Sequence, residues 1–394
     1  MLQKTRVMCS GCVRRHCRKK TAYIVFMKKL LGILVMSLLF SSILNTVSFS
    51  QHLKKKSKAE KEKFLQLRIV DLPSKFKKIK IAPAEKLKDL NKEIVENKNT
   101  KKIDKIVNKK SLLSVLYYDG QKVVVDKKSN KIKDDTKLYS FSVSKSLVSY
   151  MLGDAICNGH IKSLDDKISN YVPEAKGTLY ENSTFKELIN MAAGDTNFSN
   201  KIAGSAKFLY AADVVGKKTT AKDYLLSSSG IKISKKVFNY NNFLADFVAR
   251  AIDITVPGGL KSLYQNFANK SGTSSEMYYL ADNNGWPLLH GWFYANREDF
   301  LRIGIQISQD WNANSCIGNY LNDIEKMKIK ADKDSNSDYS GFFWYDKKNK
   351  LRHAQMRGHG GQIIHIDIEK GSVLVYHSIT KDYDNKSIWG LLKQ

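Results

Sequence analysis

Cysteine is scarce in this sequence, with five residues among 394, too few for a domain held together mainly by disulfides. Long hydrophobic runs are also rare. Only one stretch approaches the length of a membrane span, which excludes a multi-pass membrane protein. No repeat of about 20–50 residues is visible, which argues against solenoids and propellers. The remaining composition, 42% hydrophobic and 10% aromatic, is typical of a folded protein with a substantial core.

Acidic residues are few relative to basic ones. The chain has 38 Asp and Glu against 66 Lys and Arg, which gives a formal net charge of +28. Such a charge raises nucleic acid as a possible partner. However, the excess is mostly lysine and is scattered along the chain, and no zinc-finger, RNP or helix-turn-helix signature accompanies it. We therefore predict no nucleic-acid partner.

The amino-terminal region has the pattern of a secretory signal. Met27 and two lysines precede the apolar run 30–44, and small residues ending at Ser50 fit a cleavage site. This pattern predicts a signal peptide over 27–50, cleavage after Ser50, and a periplasmic or secreted protein. The alternative is an uncleaved signal, in which residues 30–44 anchor the chain in a membrane, although a span needs about 20 residues.

Residues 1–26 would then be an upstream extension, with Met27 as the true first residue. Four side chains in this extension are spaced like one half of a zinc site: Cys9, Cys12, His16 and Cys17. Because the second half is missing, we predict no metal site. Residues 51–82 are rich in lysine and are interpreted as a linker. After cleavage Cys157 and Cys316 would remain, and the sequence leaves open whether they pair.

Strand-like hairpin patterns lie near both ends of the rest of the chain. One pattern covers residues 111–126 around an Asp-Gly turn, and another covers residues 362–377. Helical patterns lie between them and include 142–158, 184–192, 242–252 and 297–309. We predict an α+β fold for a domain spanning 83–394. Both chain ends would build its antiparallel sheet, with a helical lobe inserted at about residues 142–340.

A serine and a lysine three residues apart are the first candidate for chemistry. The pattern Ser-x-x-Lys occurs five times, beginning at Ser74, Ser142, Ser183, Ser229 and Ser378. Only Ser142 opens a long apolar helical pattern, and on a helix the Lys145 amine can reach its hydroxyl. A serine becomes a strong nucleophile when a neighbouring base takes its proton, and burial can make a lysine that base. The alternative is a helix-capping serine followed by a solvated lysine.

Tyrosine followed two residues later by asparagine is the second candidate pattern. It occurs six times, beginning at Tyr180, Tyr240, Tyr264, Tyr294, Tyr320 and Tyr383. A tyrosine near a lysine can share its proton, and an asparagine can position an amide. Tyr240 and Asn242 lead directly into an apolar helix, whereas any single copy is otherwise an ordinary surface tyrosine.

The third candidate is the string Gly358-His359-Gly360-Gly361-Gln362, which occurs once and enters the carboxy-terminal hairpin. Glycines beside a strand let a substrate approach the backbone, and a strand N–H group can complete an oxyanion hole. The alternative is a glycine turn with a structural histidine.

In order and setting, these motifs resemble the serine β-lactamase-related superfamily, and in particular its class C branch. The resemblance covers about residues 83–394 and is closest to the 6-aminohexanoate-dimer hydrolases. It rests on Phe-Ser-Val-Ser-Lys-Ser (141–146), the stretch 161–173, Phe-Asn-Tyr-Asn-Asn (238–242) and Gly-His-Gly-Gly-Gln (358–362). It implies a β-lactamase/transpeptidase-like fold and hydrolysis of a small-molecule amide or ester, without metal or cofactor.

The resemblance also implies a role for each matching residue. Ser142 would be the acylated nucleophile, with Lys145 and Tyr240 as base and proton relay and Asn242 orienting the substrate amide. The backbone N–H groups of Ser142 and Gln362 would form the oxyanion hole.

One departure from the family pattern bears on the substrate. His359 and Gly361 match the ends of the Lys-Thr-Gly motif of class C β-lactamases, which here reads His-Gly-Gly. The change removes the permanent cation and the hydroxyl that would hold a β-lactam carboxylate, and it favours a linear amide or an ester. A class C-type β-lactamase or a penicillin-binding D-alanyl carboxypeptidase is the alternative within the family. An inactive β-lactamase-fold binding protein is the alternative of another class. The sequence does not decide the physiological substrate or the oligomeric state.

Overall fold

The computed structural model describes residues 76–198, 210–211, 213–214, 218–331, 336–347 and 352–393. The predicted extension 1–26, the signal peptide 27–50 and most of the linker therefore lie outside the described residues. Within the described part of the chain, no helix combines the length and the apolar character needed to cross a membrane.

Helices and short strands alternate through the middle of the chain, and strands dominate its carboxy-terminal part. The helices are Lys98–Lys109 (α1), Val143–Cys157 (α2), Phe185–Ile189 (α3), Ala221–Leu226 (α4), Phe243–Thr255 (α5), Gly259–Ser271 (α6), Arg297–Trp311 (α7), Cys316–Lys326 (α8) and Lys386–Trp389 (α9). The strands are Lys77–Ile81 (β1), Leu112–Tyr118 (β2), Val123–Lys128 (β3), Leu138–Tyr139 (β4), Met277–Ala281 (β5), Phe293–Ala295 (β6), Ile329–Lys330 (β7), Ser337–Ser340 (β8), Phe343–Asp346 (β9), His353–Gly358 (β10), Gln362–Asp367 (β11) and Val373–Ser378 (β12). The four helices expected from the sequence correspond to α2, α3, α5 and α7, of which α3 is shorter than its pattern suggests.

The larger sheet has eight antiparallel strands in the order β3-β2-β12-β11-β10-β9-β8-β7. Strand β12 pairs with β2, with Val375 opposite Leu116, so the two predicted hairpins lie side by side. The α+β fold and the closure of the sheet by both ends of the domain are thereby confirmed.

A smaller four-stranded sheet, with the order β1-β5-β6-β4, lies partly within the segment predicted as helical. Its first strand, β1, corrects the end of the predicted linker 51–82, because residues 77–81 pair with β5. Lysines alternate with Ile79 and Ile81 in this strand, and Ile81 is fully buried. The alternation suits a strand whose one face is apolar, and the lysine content alone concealed it.

Helix α2 runs through the interior and brings the Ser-x-x-Lys motif to the centre of the molecule. It packs against α5 and α8 on one side and against β10 of the large sheet on another. Almost every residue from Val143 to Ala155 is buried, which fits a helix that is apolar all round. Gly153 permits the closest contact, since a Cβ atom there would lie 2.4 Å from the Tyr320 ring of α8.

A disulfide joins the two cysteines whose pairing the sequence left open. Cys157 ends α2 and Cys316 begins α8, and their Cα atoms are 5.7 Å apart. The bridge closes a loop with a sequence separation of 159 residues. It therefore holds the carboxyl end of the buried helix to the helix that packs beside it.

Replacing Cys157 and Cys316 together by serine is expected to lower the free energy of unfolding by about 3–5 kcal/mol, because a long loop is no longer closed in the unfolded chain. Guanidinium denaturation of the wild type and the variant, each with and without reducing agent, measures the loss. Reduction should lower the midpoint of the wild type and leave that of the variant unchanged. Equal midpoints for the oxidised and reduced wild type would contradict the bridge.

Candidate active site

Ser142 stands at the amino-terminal cap of α2, yet its side chain does not cap the helix. Its Oγ lies instead 2.9 Å from Nζ of Lys145, one turn along the same helix. Lys145 is only 1% exposed. The alternative of a capping serine with a solvated lysine therefore fails on both residues, and the pair has the geometry of a nucleophile beside a base.

The backbone before Ser142 makes an unusual turn. Phe141 has φ +45°, in the left-handed region that a bulky aromatic residue rarely adopts. Ser144 helps hold this turn, since its hydroxyl donates to the Phe141 carbonyl oxygen at 3.0 Å. The turn places Ser142 at the helix start, where the helix dipole favours developing negative charge.

Burial lowers the pKa of the Lys145 ammonium to about 7, while the negative charge of Asp246 opposes the shift. A large fraction of the amine is thus neutral near pH 7 and can accept a proton. The second hydrogen bond of Nζ goes to the backbone carbonyl oxygen of His290. Lys145 is therefore both held in place and chemically suited to act as a base.

Tyr240 is the copy of the Tyr-x-Asn pattern that the structure brings to Ser142. Its hydroxyl is hydrogen-bonded to the Ser142 side chain, and Lys145 Nζ lies 5.3 Å from the centre of its ring. Burial raises the pKa of Tyr240 to about 12, so the hydroxyl keeps its proton at neutral pH. Tyr240 can therefore pass a proton on, but it does not serve as a standing anionic base.

Two asparagines on either side of Tyr240 hold it through a buried carboxylate that the sequence analysis did not single out. The side-chain amides of Asn239 and Asn241 each donate to Asp195 at 2.7 Å, and the Tyr180 hydroxyl donates to it at 3.1 Å. Asp195 is fully buried. The alternation Asn-Tyr-Asn was the sequence feature that could have indicated this contact, because in extended backbone the two asparagines point away from the side on which the tyrosine lies.

Asn242 completes the second motif. It is buried at the amino-terminal cap of α5, two residues after Tyr240. Its role in orienting a substrate amide rests on the resemblance.

The glycine string forms the tip of the hairpin between β10 and β11, and it lies close to Ser142 in space. A Cβ atom on Gly358 would lie 2.5 Å from the Ser140 carbonyl oxygen and 3.0 Å from Cβ of Phe141. Only glycine allows this approach. The ring of His359 packs edge-on against Phe141, with 5.7 Å between the ring centres. The hairpin thus lies directly against the turn that carries Ser142.

Gly361 and Gln362 shape the far side of the hairpin tip. Gly361 has φ +100°, and a Cβ atom there would lie 2.3 Å from Ser378 Oγ. The Gln362 side-chain amide donates to the carbonyl oxygens of Ser378 and His359, the latter at 3.1 Å. These contacts fix the first residue of β11, whose backbone N–H is the predicted second donor of the oxyanion hole.

Aromatic side chains form a wall beside Tyr240. Trp344 of β9 stacks on the Tyr240 ring at 6.1 Å between centres, and Tyr339 packs edge-on against Trp344 at 4.8 Å. The Arg357 guanidinium lies over the Trp344 ring, 5.3 Å from its centre. Such surfaces suit an apolar or amphipathic acyl chain.

A metal ion would need several ligating side chains close together among the residues that the structure describes. No group of three or more His, Cys, Asp or Glu side chains among them is placed to hold an ion.

Comparison with known families gives a match to one part of the chain. A family model described as beta-lactamase matches residues 102–249, the part that contains Ser142, Lys145 and Tyr240. No curated protein matches the sequence significantly.

Solved structures share the fold over most of the chain. The first is described as a putative 6-aminohexanoate-dimer hydrolase from Bacillus anthracis. It has a TM-score of 0.68 and 15% identity, and the match covers 84% of this chain and 92% of that one. A D-stereospecific amidohydrolase from Streptomyces sp. has a TM-score of 0.55 and 14% identity, with 75% and 98% covered. A penicillin binding protein from Bacillus halodurans has a TM-score of 0.53 and 14% identity, with 72% and 96% covered.

At these identities the solved structures show the common fold, and the family match covers the segment with the serine and lysine. The chain thus shares the fold of these structures, and over residues 102–249 it is similar to the beta-lactamase family.

Proposed function

We propose that the chain hydrolyses a small linear amide or ester through an acyl-enzyme on Ser142, in the manner of a 6-aminohexanoate-dimer hydrolase. The observation that carries this proposal is the buried pair of Ser142 Oγ and Lys145 Nζ, 2.9 Å apart, with the pKa of the lysine lowered to about 7. An inactive binding protein has no need of a desolvated lysine beside a serine that caps nothing.

In the acylation step, Ser142 Oγ attacks the substrate carbonyl carbon while Lys145 takes the hydroxyl proton. The oxyanion that forms would accept hydrogen bonds from the backbone N–H groups of Ser142 and Gln362. Tyr240, whose hydroxyl is bonded to Ser142, would relay the proton from Lys145 to the leaving amine or alcohol. The bond to the leaving group then breaks, and the acyl group remains on Ser142.

In the deacylation step, water attacks the acyl carbon and gives its proton to the same lysine and tyrosine pair. The Ser142–acyl bond breaks, the serine recovers its proton, and a carboxylic acid is released. Ser142, Lys145 and Tyr240 thus regain their starting protonation states, and water supplies the proton and the hydroxyl group that end on the two products.

The hairpin tip supports a linear substrate rather than a β-lactam. His359 lies beside Phe141, where class C β-lactamases carry a lysine, and it is exposed to solvent. An imidazole does not supply the permanent cation with which a lysine holds a carboxylate. The half-buried rings of Tyr240 and Trp344 offer an apolar chain a contact surface in its place.

We also propose that the mature protein works in the periplasm or outside the cell. The signal-like pattern ending at Ser50 supports this location. The disulfide between Cys157 and Cys316 adds support, since such bridges persist in oxidising compartments.

Replacing Ser142 by alanine is expected to reduce turnover at least about a thousandfold, because no acyl-enzyme can form. The measurement is hydrolysis of p-nitrophenyl butyrate, a 6-aminohexanoate dimer, a D-alanyl-D-alanine peptide and nitrocefin by the purified chain. Labelling with a fluorophosphonate should be lost in parallel. Ser149→Ala, in the same helix and bonded to Tyr320 at 3.0 Å, is the matched control.

The panel also separates the candidate substrates. Serine-dependent turnover of the ester or the linear amide, with nitrocefin untouched, supports the proposal. Rapid nitrocefin hydrolysis would make the chain a β-lactamase, and cleavage of the peptide alone would make it a D-alanyl peptidase. A folded wild type that is neither labelled nor active would leave the inactive binding protein as the better account.

The pH dependence of kcat/KM should follow Lys145. Because the amine acts as a base when neutral, activity should be low below its pKa of about 7 and rise to a plateau above it. Lys145→Arg keeps a charge that cannot be removed and should lower kcat/KM at least about a thousandfold. Lys137→Arg is the control, since burial also lowers the pKa of Lys137 but its Nζ bonds Ser275. An unchanged profile in Lys145→Arg would refute the lysine as base.

Amino-terminal sequencing tests the location. Expressed from Met27 in a bacterial host, the protein exported from the cytoplasm should begin at Gln51. Ser50→Phe removes the small residue at the predicted cleavage position and should leave the longer chain. Exported wild-type protein that still begins at Met27 would favour the membrane anchor formed by residues 30–44.

A further inference from the structure

The carbonyl oxygen that accepts the second hydrogen bond from Lys145 belongs to His290, a buried residue between β5 and β6. Its position decides where Lys145 Nζ lies relative to Ser142 Oγ, since the ammonium or amine contacts both. The side chains that hold His290 therefore influence the geometry of the base.

His290 is held by Asp246 of α5, which is fully buried. The Asp246 carboxylate accepts the backbone N–H of His290 at 2.6 Å, and its Oδ2 lies 2.6 Å from His290 Nδ1. The Tyr210 hydroxyl donates to the same carboxylate at 2.7 Å. One carboxylate thus binds both the backbone and the ring of His290, which fixes the residue at two points.

The His290 ring packs between aromatic side chains. Its centre is 5.4 Å from the ring centre of Tyr210 and 4.8 Å from that of Trp292. Its Nε2 is buried and has no hydrogen-bond partner within the part of the chain that the structure describes. The polar contact of the ring is therefore directed at Asp246. The packed ring supports the backbone carbonyl that contacts Lys145, a support that we call the brace.

Asp246 also acts on Lys145 through its charge. Burial lowers the pKa of Lys145, and the negative carboxylate of Asp246 partly offsets this by raising the same pKa. The other titratable side chain facing Lys145 is Tyr240, which burial keeps protonated, and the hydroxyl of Ser142 completes the surroundings. Asp282 is a further buried carboxylate near Asp246, and the charge of Asp246 helps to raise its pKa, whereas the anion that acts on Lys145 is Asp246.

We propose that Asp246 and His290 are positioning residues for Lys145, and that Asp246 sets the pH above which the lysine can act as a base. The inference rests on the proposed function of Lys145 but concerns residues outside the three motifs. Asp246 holds the His290 carbonyl against Nζ, and its charge keeps the lysine from losing its proton at a still lower pH.

Asp246→Asn in the full chain tests the inference, because it removes the charge and keeps the shape. The rate of Ser142 labelling by a fluorophosphonate is measured from pH 5 to pH 9. The acid limb, the low-pH part of the profile in which the rate rises with pH, should move to lower pH by about one unit. The plateau rate should fall about tenfold because the lysine is less well placed. Asp253→Asn is the matched control. Asp253 lies on the same helix and accepts the Leu260 N–H at 3.1 Å, so its limb should stay where the wild type has it.

His290→Ala separates position from charge. It removes the ring and keeps Asp246, so the plateau rate should fall while the acid limb does not move to lower pH. An acid limb that stays at the wild-type pH in Asp246→Asn overturns the role of the charge. A plateau rate in His290→Ala equal to that of the wild type overturns the positioning role of His290. If circular dichroism shows that Asp246→Asn is unfolded, the His290→Ala variant alone decides this positioning role.

Direct titration of Lys145 separates this inference from the proposed function. With ¹³Cε-labelled lysine, the Lys145 resonance is assigned by its absence in Lys145→Arg, and its pKa should be lower in Asp246→Asn than in the wild type. If the wild type is not labelled at Ser142, the proposed function fails, whereas an equal lysine pKa in both proteins refutes the inference alone.

Discussion

The desolvation of Lys145 is the constraint on which the rest of the site depends. An amine that is 1% exposed must be compensated by polar groups, and the protein supplies the Ser142 hydroxyl and the His290 carbonyl oxygen. The compensation is partial, so the pKa of the lysine falls to about 7, where the amine can both take and return a proton. An ordinary helix with a solvated lysine would provide no base at neutral pH.

Three segments far apart in the chain meet at the start of helix α2, and a different set of contacts holds each of them in place. Helix α2 carries Ser142 and Lys145 on one face and is locked by close packing and by the bridge at Cys157. The buried carboxylate of Asp195 holds the loop around Tyr240 through flanking asparagines. Gly358 lets the hairpin approach Ser140 and Phe141 without a Cβ atom in the way. The motifs are short because each set of contacts needs only one or two residues.

The sequence predicted the helices and hairpins whose patterns repeat every few residues, but it could not choose among several copies of the same motif. The helix from Ser142, the two terminal hairpins and the α+β class follow from periodicity and turn residues, and the structure confirms them. Among six Tyr-x-Asn copies, however, only the resemblance selected Tyr240, because its neighbour Ser142 is distant in sequence. Strand β1 lies in the segment predicted as a linker, because its lysines outnumber the two isoleucines on its inner face.

The sequence by itself determined which side chains can share a helix face, where the chain reverses, and where glycine permits a close approach, since these depend on residues a few positions apart. Only the tertiary structure decided that Cys157 meets Cys316, that Asp195 holds the loop of Tyr240, and that Asp246 and His290 stand behind the lysine. The physical reason is that burial and long-range contacts set the pKa and the position of a side chain, and both arise when distant segments pack together.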